Sequence, residues 1–481
     1  MAVRSGKQYL EGLRDARTVW LDGRRVDVST EPAFAGSLSG MAGYFDWQLA
    51  HADDCLATDP VSGAPMSASL IVPRNADDLR RRNRCFDRLA RYSAGMLGRT
   101  PDYVNVTLAG FVARADVFAR QGDSRGAERL RRFHREVIER DLSLTHTIIH
   151  PVIDKAVGEL EGVNRDLATR VVRRTPEGIV LRGAKILATL GPFADELFVY
   201  PGQPLPPTAG DWALSFSIPL ATPGLHTVCR DHYGVAGPIA DRPFSARFDE
   251  QDAFMIFDDV LVPWERVFID GDVTAYNELL REGWAGNIMQ QTCIRAAVKL
   301  EFAYELCTRM ARVTNSEART DVIQMLGEIW GYATLTRAAI RAAEDGAHDW
   351  GNGAFFCDDR PLRAARAQMP GWMARTNEVI KLIGSHNLLA TASAEAFASP
   401  ELGPLIERYM PGARGISARE RALLFRTAWD FAGSALGGRV EQYERFYLAS
   451  AARNFGLDHL LAQRGEWSEW PAFLAAAGIQ P

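Results

Sequence analysis

The hydrophobic period of this chain changes twice along its length, and that limits what it can fold into. From Asp77 to about Arg91 the residues are charged and amphipathic, and from Phe111 to Leu142 apolar residues recur at helical spacing among many Arg and Glu. Between Val171 and Pro263 the texture turns to β-rich runs: Ile179-Val180-Leu181, Lys185 to Thr189, Leu214 to Ile218 and Phe254 to Phe257. Breaks bearing Gly and Pro separate them, as at Thr175-Pro176-Glu177-Gly178 and Pro201-Gly202-Gln203-Pro204. After Trp264 the helical period returns. It is clearest at Ile294, Val298, Phe302, Leu306 and Met310, a stripe that reads as core or helix–helix interface. Further candidates run through Leu326, Ile329, Trp330 and Ala333, and from Thr376 to Leu389; long helices side by side make a bundle. The order predicts an α+β protein with a mainly helical domain over 1–142, a β-domain over 143–268 and a C-terminal helical bundle over 269–481.

A chain of 481 residues can bury a large core. Its formal charge of -5, with acids and bases nearly balanced and no long basic run, argues against nucleic acid or an acidic membrane surface as the main partner. A small-molecule substrate fits better. The six cysteines, Cys55, Cys85, Cys229, Cys293, Cys307 and Cys357, form no CxxC pair and no metal-ligand spacing with a histidine, so no metal is expected. They read as buried thiols in a reducing compartment. Met1 is followed by charged and polar residues, and no apolar run reaches about eighteen residues, so the expectation is a soluble, cytoplasmic protein.

Two short segments carry candidate chemistry: Met96-Leu97-Gly98-Arg99-Thr100-Pro101-Asp102-Tyr103 and Thr145-His146-Thr147-Ile148-Ile149-His150-Pro151. Arg99 offers a permanently charged donor fork, Tyr103 a phenolic donor and acceptor, and His146 a group that holds or releases a proton near neutral pH. Together they can grip and polarise one phenolic hydroxyl. The plainer reading of each is structural, with His146 as a satisfied core histidine that orients Arg99.

In several ordered blocks the chain resembles the 4-hydroxyphenylacetate 3-monooxygenase family, the oxygenase component of two-component flavin-dependent phenol hydroxylases. The blocks are Gly6 to Asp15 with Val19 to Val26, Gly98 to Tyr103 with His146, and Gly183 to Thr189. They continue with Ser245 to Ala253, Asp259 to Glu265, and Gly433 to Arg439 with Tyr443-Glu444. The resemblance implies an acyl-CoA-dehydrogenase-like architecture, with an N-terminal helical domain, a central β-barrel-like domain and a C-terminal bundle through which a homotetramer forms. It also implies FADH2 and O2 as reactants, a C4a-hydroperoxyflavin, and hydroxylation ortho to a phenol. No GxGxxG follows a strand and no GxxxxGK[ST] occurs, so reduced flavin is expected from a separate NAD(P)H-flavin reductase.

By the same resemblance Arg99, Tyr103 and His146 take the phenol. Thr189 places a hydroxyl near the flavin, and the turn with Ser434, Gly437, Gly438 and Arg439 contacts it, Arg439 being able to meet a pyrophosphate. Gln291 and Arg295, one helical turn apart, could also face the flavin. The plainer alternatives are β-propensity for Thr189, an ordinary helix–helix turn for Gly433 to Arg439, and an interface role for Gln291 and Arg295. The chain departs from the family at Leu190-Gly191-Pro192-Phe193 and from Pro201 to Pro207, which leaves the native phenol open: a free compound, or a tyrosine-derived intermediate held on a carrier. The rivals are a flavin-containing acyl-CoA dehydratase with an iron-sulfur cluster, which the scattered cysteines disfavour, and an acyl-CoA oxidoreductase, for which no catalytic carboxylate stands out.

Overall fold

The computed structural model describes residues 3–119, 123–446, 450–465 and 468–479, so the start at Met1, read above for a leader, lies outside them. Helices Ala35–Ala50, Ala76–Tyr92, Pro101–Ala113 and Arg125–Arg140 are the long helices of the first third. Asn75 begins the second of these by accepting the Asp78 N–H, and Leu79, Cys85, Phe86 and Leu89 make its buried face. The same third carries a hairpin, Thr18–Leu21 with Arg24–Val26, turned at Asp22 and Gly23 with φ of 51° and 76°. Asp-Gly suits that turn because both central positions need left-handed backbone.

The hairpin joins the largest sheet of the described residues, since Thr18–Leu21 pairs in parallel with Leu225–Cys229. From edge to edge the six-stranded sheet runs Arg24–Val26, Thr18–Leu21, Leu225–Cys229, Asp252–Pro263, Gly178–Thr189, Arg170–Arg174. A four-stranded sheet runs Val267–Asp270, Leu214–Pro219, Glu196–Val199, Leu144–Thr147. Leu181, Met255 and Phe257 of the first share one apolar core with Leu197, Phe216 and Ile218 of the second.

The long strand Gly178–Thr189 is irregular where it meets Ala253 and Met255, and there Leu187 takes a φ of 67°. Regular alternation would bury one of two successive residues; here Ile186 and Leu187 are 39% and 45% exposed, and Ile149, bridged to Ile186, is 37% exposed. The bulge therefore builds an apolar platform at the strand end, next to Thr189. Backbone held in this way is a frequent mark of a functional position.

Helices Ala285–Val313, Thr320–Asp345 and Asp359–Gly384 pack on one another as the bundle. Ile294, Val298, Leu306 and Met310 of the expected stripe are buried, and Phe302 packs on the same core as Leu306 and Met310. In the second helix Ile329 and Ala333 are buried while Trp330 is 54% exposed. The third starts well ahead of Thr376, where the Asp358 carboxylate caps it by accepting the Arg360 N–H. All six cysteines are free, and five are buried. Among the described residues no helix is long and apolar enough to cross a membrane, and no group of three His, Cys, Asp or Glu side chains is placed to hold a metal ion.

Candidate functional site

Pro101 opens the helix Pro101–Ala113, so Arg99 stands on the turn leading in and Tyr103 on the first helical turn. His146 lies within Leu144–Thr147, opposite Phe198 of the neighbouring strand. The fold brings all three together in a buried place. The Arg99 guanidinium carbon sits 3.8 Å from the centre of the Tyr103 ring. The His146 ring stacks on Tyr103 with centroids 5.2 Å apart and on Tyr200 at 5.3 Å, and Trp284 meets Tyr200 edge-on at 6.2 Å. Burial, and then the Arg99 charge, hold His146 well below the usual histidine range, so its ring is neutral at neutral pH and able to accept a proton. Burial raises the Tyr103 phenol against the pull of Arg99, which keeps it protonated and a donor.

One carboxylate holds the turn that carries Arg99. Glu250 Oε1 accepts the backbone N–H groups of Gly98 at 2.7 Å and Arg99 at 2.5 Å, and its Oε2 accepts from Arg439 Nη1 at 2.6 Å. Arg439 Nε donates to Asp252 Oδ2 at 2.7 Å, and its Nη2 donates to Asp252 Oδ1. Asp252 also accepts from Arg230 Nε at 3.1 Å and from the Thr189 hydroxyl at 2.7 Å, and Arg230 continues to Asp249 Oδ1 at 2.6 Å. A buried polar network is favourable only when its members are satisfied, and every carboxylate oxygen here has a donor. The network ties the Arg99 turn, the end of Gly178–Thr189 and helix Ala435–Phe446 into one unit. Arg439, expected at a flavin pyrophosphate, is its central strut.

Ser434 precedes that helix, accepting from the Gly437 N–H at 3.0 Å and donating to Asp430 O at 2.8 Å. Asp430 in turn accepts the N–H groups of Phe244 and Ser245 at 2.7 and 2.9 Å, which fastens that segment to the bundle. Gly437 answers a packing need, since a Cβ there would lie 2.8 Å from Phe431 O, whereas a Cβ at Gly438 would meet nothing within 4 Å. Gly438 is exposed, and packing does not require a glycine there. Gln291 Nε2 donates to Asp102 Oδ2 at 2.8 Å, while its Oε1 is a buried acceptor without a hydrogen-bond partner, beside the helix that carries Tyr103. Arg295 turns instead to Glu444 at 2.8 and 2.9 Å and to Gly95 O at 2.7 Å.

Lys185 is buried in the same strand as Thr189, its Nζ 3.3 Å from His150 Nε2 and 3.4 Å from Ile148 O. Burial, with Glu159 opposing it, brings the ammonium down to about 7. An unfolded chain keeps that proton to roughly 10.4, so stability rises with pH across the interval. Lys185→Met is expected to remove roughly 1.4 kcal/mol per pH unit of that rise, read by urea unfolding between about pH 7.5 and 9. An unchanged slope would mean that the lysine is charged in the fold.

Several site residues carried no local signal in the sequence. Asp249, Glu250, Gln251 and Asp252 lead into the strand Asp252–Pro263, where four polar residues ordinarily read as a solvated turn, yet the first three are 1% exposed or less. Their partners Arg230 and Arg439 are distant in the chain. Tyr200 and Trp284 are single aromatics among many, and Leu187 is marked by its backbone angle, which its residue type does not announce.

Two family models match: 4-hydroxyphenylacetate 3-hydroxylase N terminal over residues 5–269, and 4-hydroxyphenylacetate 3-hydroxylase C terminal over residues 281–455. The oxygenase component of 4-hydroxyphenylacetate 3-monooxygenase from Thermus thermophilus is 34% identical over 456 residues, 94% of this chain and 93% of its own length. A Streptomyces globisporus monooxygenase of a (3S)-3-amino-3-(3-chloro-4-hydroxyphenyl)propanoyl group on a peptidyl-carrier protein is 33% identical, covering 95% of this chain and 87% of its own. The crystal structure of HpaB, the oxygenase component of 4-hydroxyphenylacetate 3-monooxygenase, complexed with FAD and 4-hydroxyphenylacetate aligns with a TM-score of 0.91 at 32% identity, over 98% of this chain and 99% of that one. The α+β class expected above is the one the chain has, in the fold of the HpaB structures. The chain belongs to the 4-hydroxyphenylacetate 3-hydroxylase family.

Proposed function

We propose that the chain is the oxygenase component of a two-component phenol monooxygenase, which takes FADH2 from a separate NAD(P)H-dependent reductase and uses O2 to hydroxylate a phenol ortho to its hydroxyl. The observation that carries this reading is the buried cluster of Arg99, Tyr103 and His146, a fixed cation, a phenolic donor and a neutral imidazole on one aromatic wall. Arg99 and Tyr103 would donate to the phenol oxygen while His146 takes its proton. Negative charge on that oxygen raises electron density at the ortho and para carbons, where an electrophilic oxygen is accepted. Tyr200 and Trp284 close the wall with apolar surface that excludes water.

The flavin side fits a flat, largely apolar ring: Ile149, Ile186 and Leu187 stand exposed near Thr189, Ser434, Gly437 and Gly438 lie at the start of the helix that Arg439 ties to Asp252, and Gln291 lies near the Tyr103 helix. Reduced FAD held there would supply the activation of O2. Arg295 and Arg439 would serve this side by holding Glu444, Glu250 and Asp252 in place. The relatives' phenols, one free and one carried on a protein, share the ring and hydroxyl that Arg99, Tyr103 and His146 address. Exposed Ile323, Trp330, Leu335 and Leu382 on the bundle helices support the homotetramer, and six free cysteines support the cytoplasm.

The test supplies chemically reduced FAD, O2 and a panel of para-substituted phenols, and follows catechols by mass spectrometry against H2O2. Catechol formation with a matching fall in peroxide is expected for at least one phenol; peroxide alone with every phenol would refute the reading. Because His146 is neutral well into the acid range, catechol formation should show no inflection near pH 6.5 and should decline only in acid. His146→Gln should be slow at every pH. An inflection near 6.5 that disappears in His146→Gln would mean that the imidazole titrates as an ordinary histidine.

A further inference from the structure

We propose that Tyr443 positions Arg99 for the phenol, its ring restraining the guanidinium that lies on Tyr103. Tyr443 is buried on helix Ala435–Phe446, four residues beyond Arg439 and so on the same face of the helix. Its ring centre lies 5.4 Å from the Arg99 guanidinium carbon and 4.8 Å from that of Arg439, so one ring serves two cations. Arg99 in turn meets two rings, Tyr103 and Tyr443. Tyr443 also lies against the turn itself. A Cβ on Gly98 would come 2.5 Å from the Tyr443 Cζ, so the glycine is what lets the ring stand this close to Arg99.

One helix thus fixes both parts of Arg99. Arg439 acts on the backbone, through Glu250 and the N–H groups of Gly98 and Arg99, and Tyr443 acts on the side chain. An arginine side chain turns about several bonds, and each must be fixed before its planar fork can meet a phenol oxygen. A ring beside the guanidinium restricts them in advance, and leaves the N–H groups, which lie in the guanidinium plane, to their acceptors. Both cation contacts belong to the Tyr443 ring and not to its hydroxyl. In this role Tyr443 acts through Arg99 and touches no reacting atom. The inference rests on the function proposed above, because it takes Arg99 to be a donor to the phenol.

The experiment is a double-mutant cycle on the full-length protein, with chemically reduced FAD, O2 and a phenol that the wild type converts to a catechol. Tyr443→Leu should lower kcat/KM for the phenol by about 10-fold, with the FADH2 ending as H2O2. Tyr443→Phe, which keeps the ring, should recover most of the loss. Gly98→Ala should lower kcat/KM in the same way, by pushing the ring aside while Tyr443 itself is intact. In an Arg99→Ala background Tyr443→Leu should cost less than about 2-fold more, because the group it positions is gone. The proposal is overturned if Tyr443→Leu keeps the wild-type kcat/KM, or if it costs the same factor with Arg99 and without it. Failure of the wild-type protein to convert any phenol would instead overturn the reading of the function.

Discussion

Arg99→Ala is expected to lower kcat/KM for the phenol by about 100- to 1,000-fold, while FADH2 continues to be consumed and its oxygen ends as H2O2. The reason lies in what the residue does and does not hold. Its guanidinium lies on the Tyr103 ring, inside a site too buried for water to replace it. Its backbone N–H, not its side chain, is the group that Glu250 grips, so the turn keeps its anchor when the side chain is cut back. The loss should therefore fall on the phenol and spare the flavin. Arg99→Lys should recover only part of the activity, because an ammonium keeps the charge and lacks the planar fork. The reading is the fraction of FADH2 converted to catechol: equal coupling in Arg99→Ala and wild type would remove Arg99 from the site.

The helix, strand, helix order was legible because it is written in the period of the apolar residues, which local geometry reads directly. Ile294, Val298, Leu306 and Met310 are buried as their spacing required. Trp330 shows the limit of grouping by proximity, since it is rotated about 100° from Ile329 and so points away from the face of Ile329, Ala333 and Ile340. The hairpin at Asp22-Gly23 belongs to a sheet whose other strands lie far along the chain, and no local pattern reports that pairing. The meeting of Arg99, Tyr103 and His146 was carried by the resemblance, because a helix start and a mid-strand histidine have no spacing rule between them. The charge network lay further out of reach. An acidic run such as Asp249 to Asp252 becomes core only when Arg230 and Arg439 arrive from elsewhere, and a sequence does not show which of many arginines will do so.

Glu444 is a damaging charge to remove. It stands buried between Arg295, which it binds through both oxygens, and Lys299, whose Nζ is 3.2 Å away. Burial would raise its pKa, but the two cations hold it at about 2. The ammonium of Lys299 is lowered, burial outweighing the pull of Glu444, while Arg295 meets both carboxylate oxygens. Glu444→Gln removes the buried carboxylate that Arg295 and Lys299 share and should cost about 3–5 kcal/mol at pH 7, measured by urea unfolding. Lys299→Met removes the cation held by one contact of 3.2 Å and should cost less than about 1 kcal/mol, or stabilise. A carboxylate with a depressed pKa contributes stability that is fully present above its unfolded value near 4.3 and is lost as pH falls toward 2, so roughly 3 kcal/mol of the wild-type acid sensitivity should be missing from Glu444→Gln. Because Arg295 also donates to Gly95 O, four residues ahead of Arg99, the same variant should loosen the turn that presents Arg99. Faster amide exchange across residues 95–99 would accompany the loss of stability. Unfolding curves that superpose on the wild type would show that the triad is held by its surroundings and not by its charge.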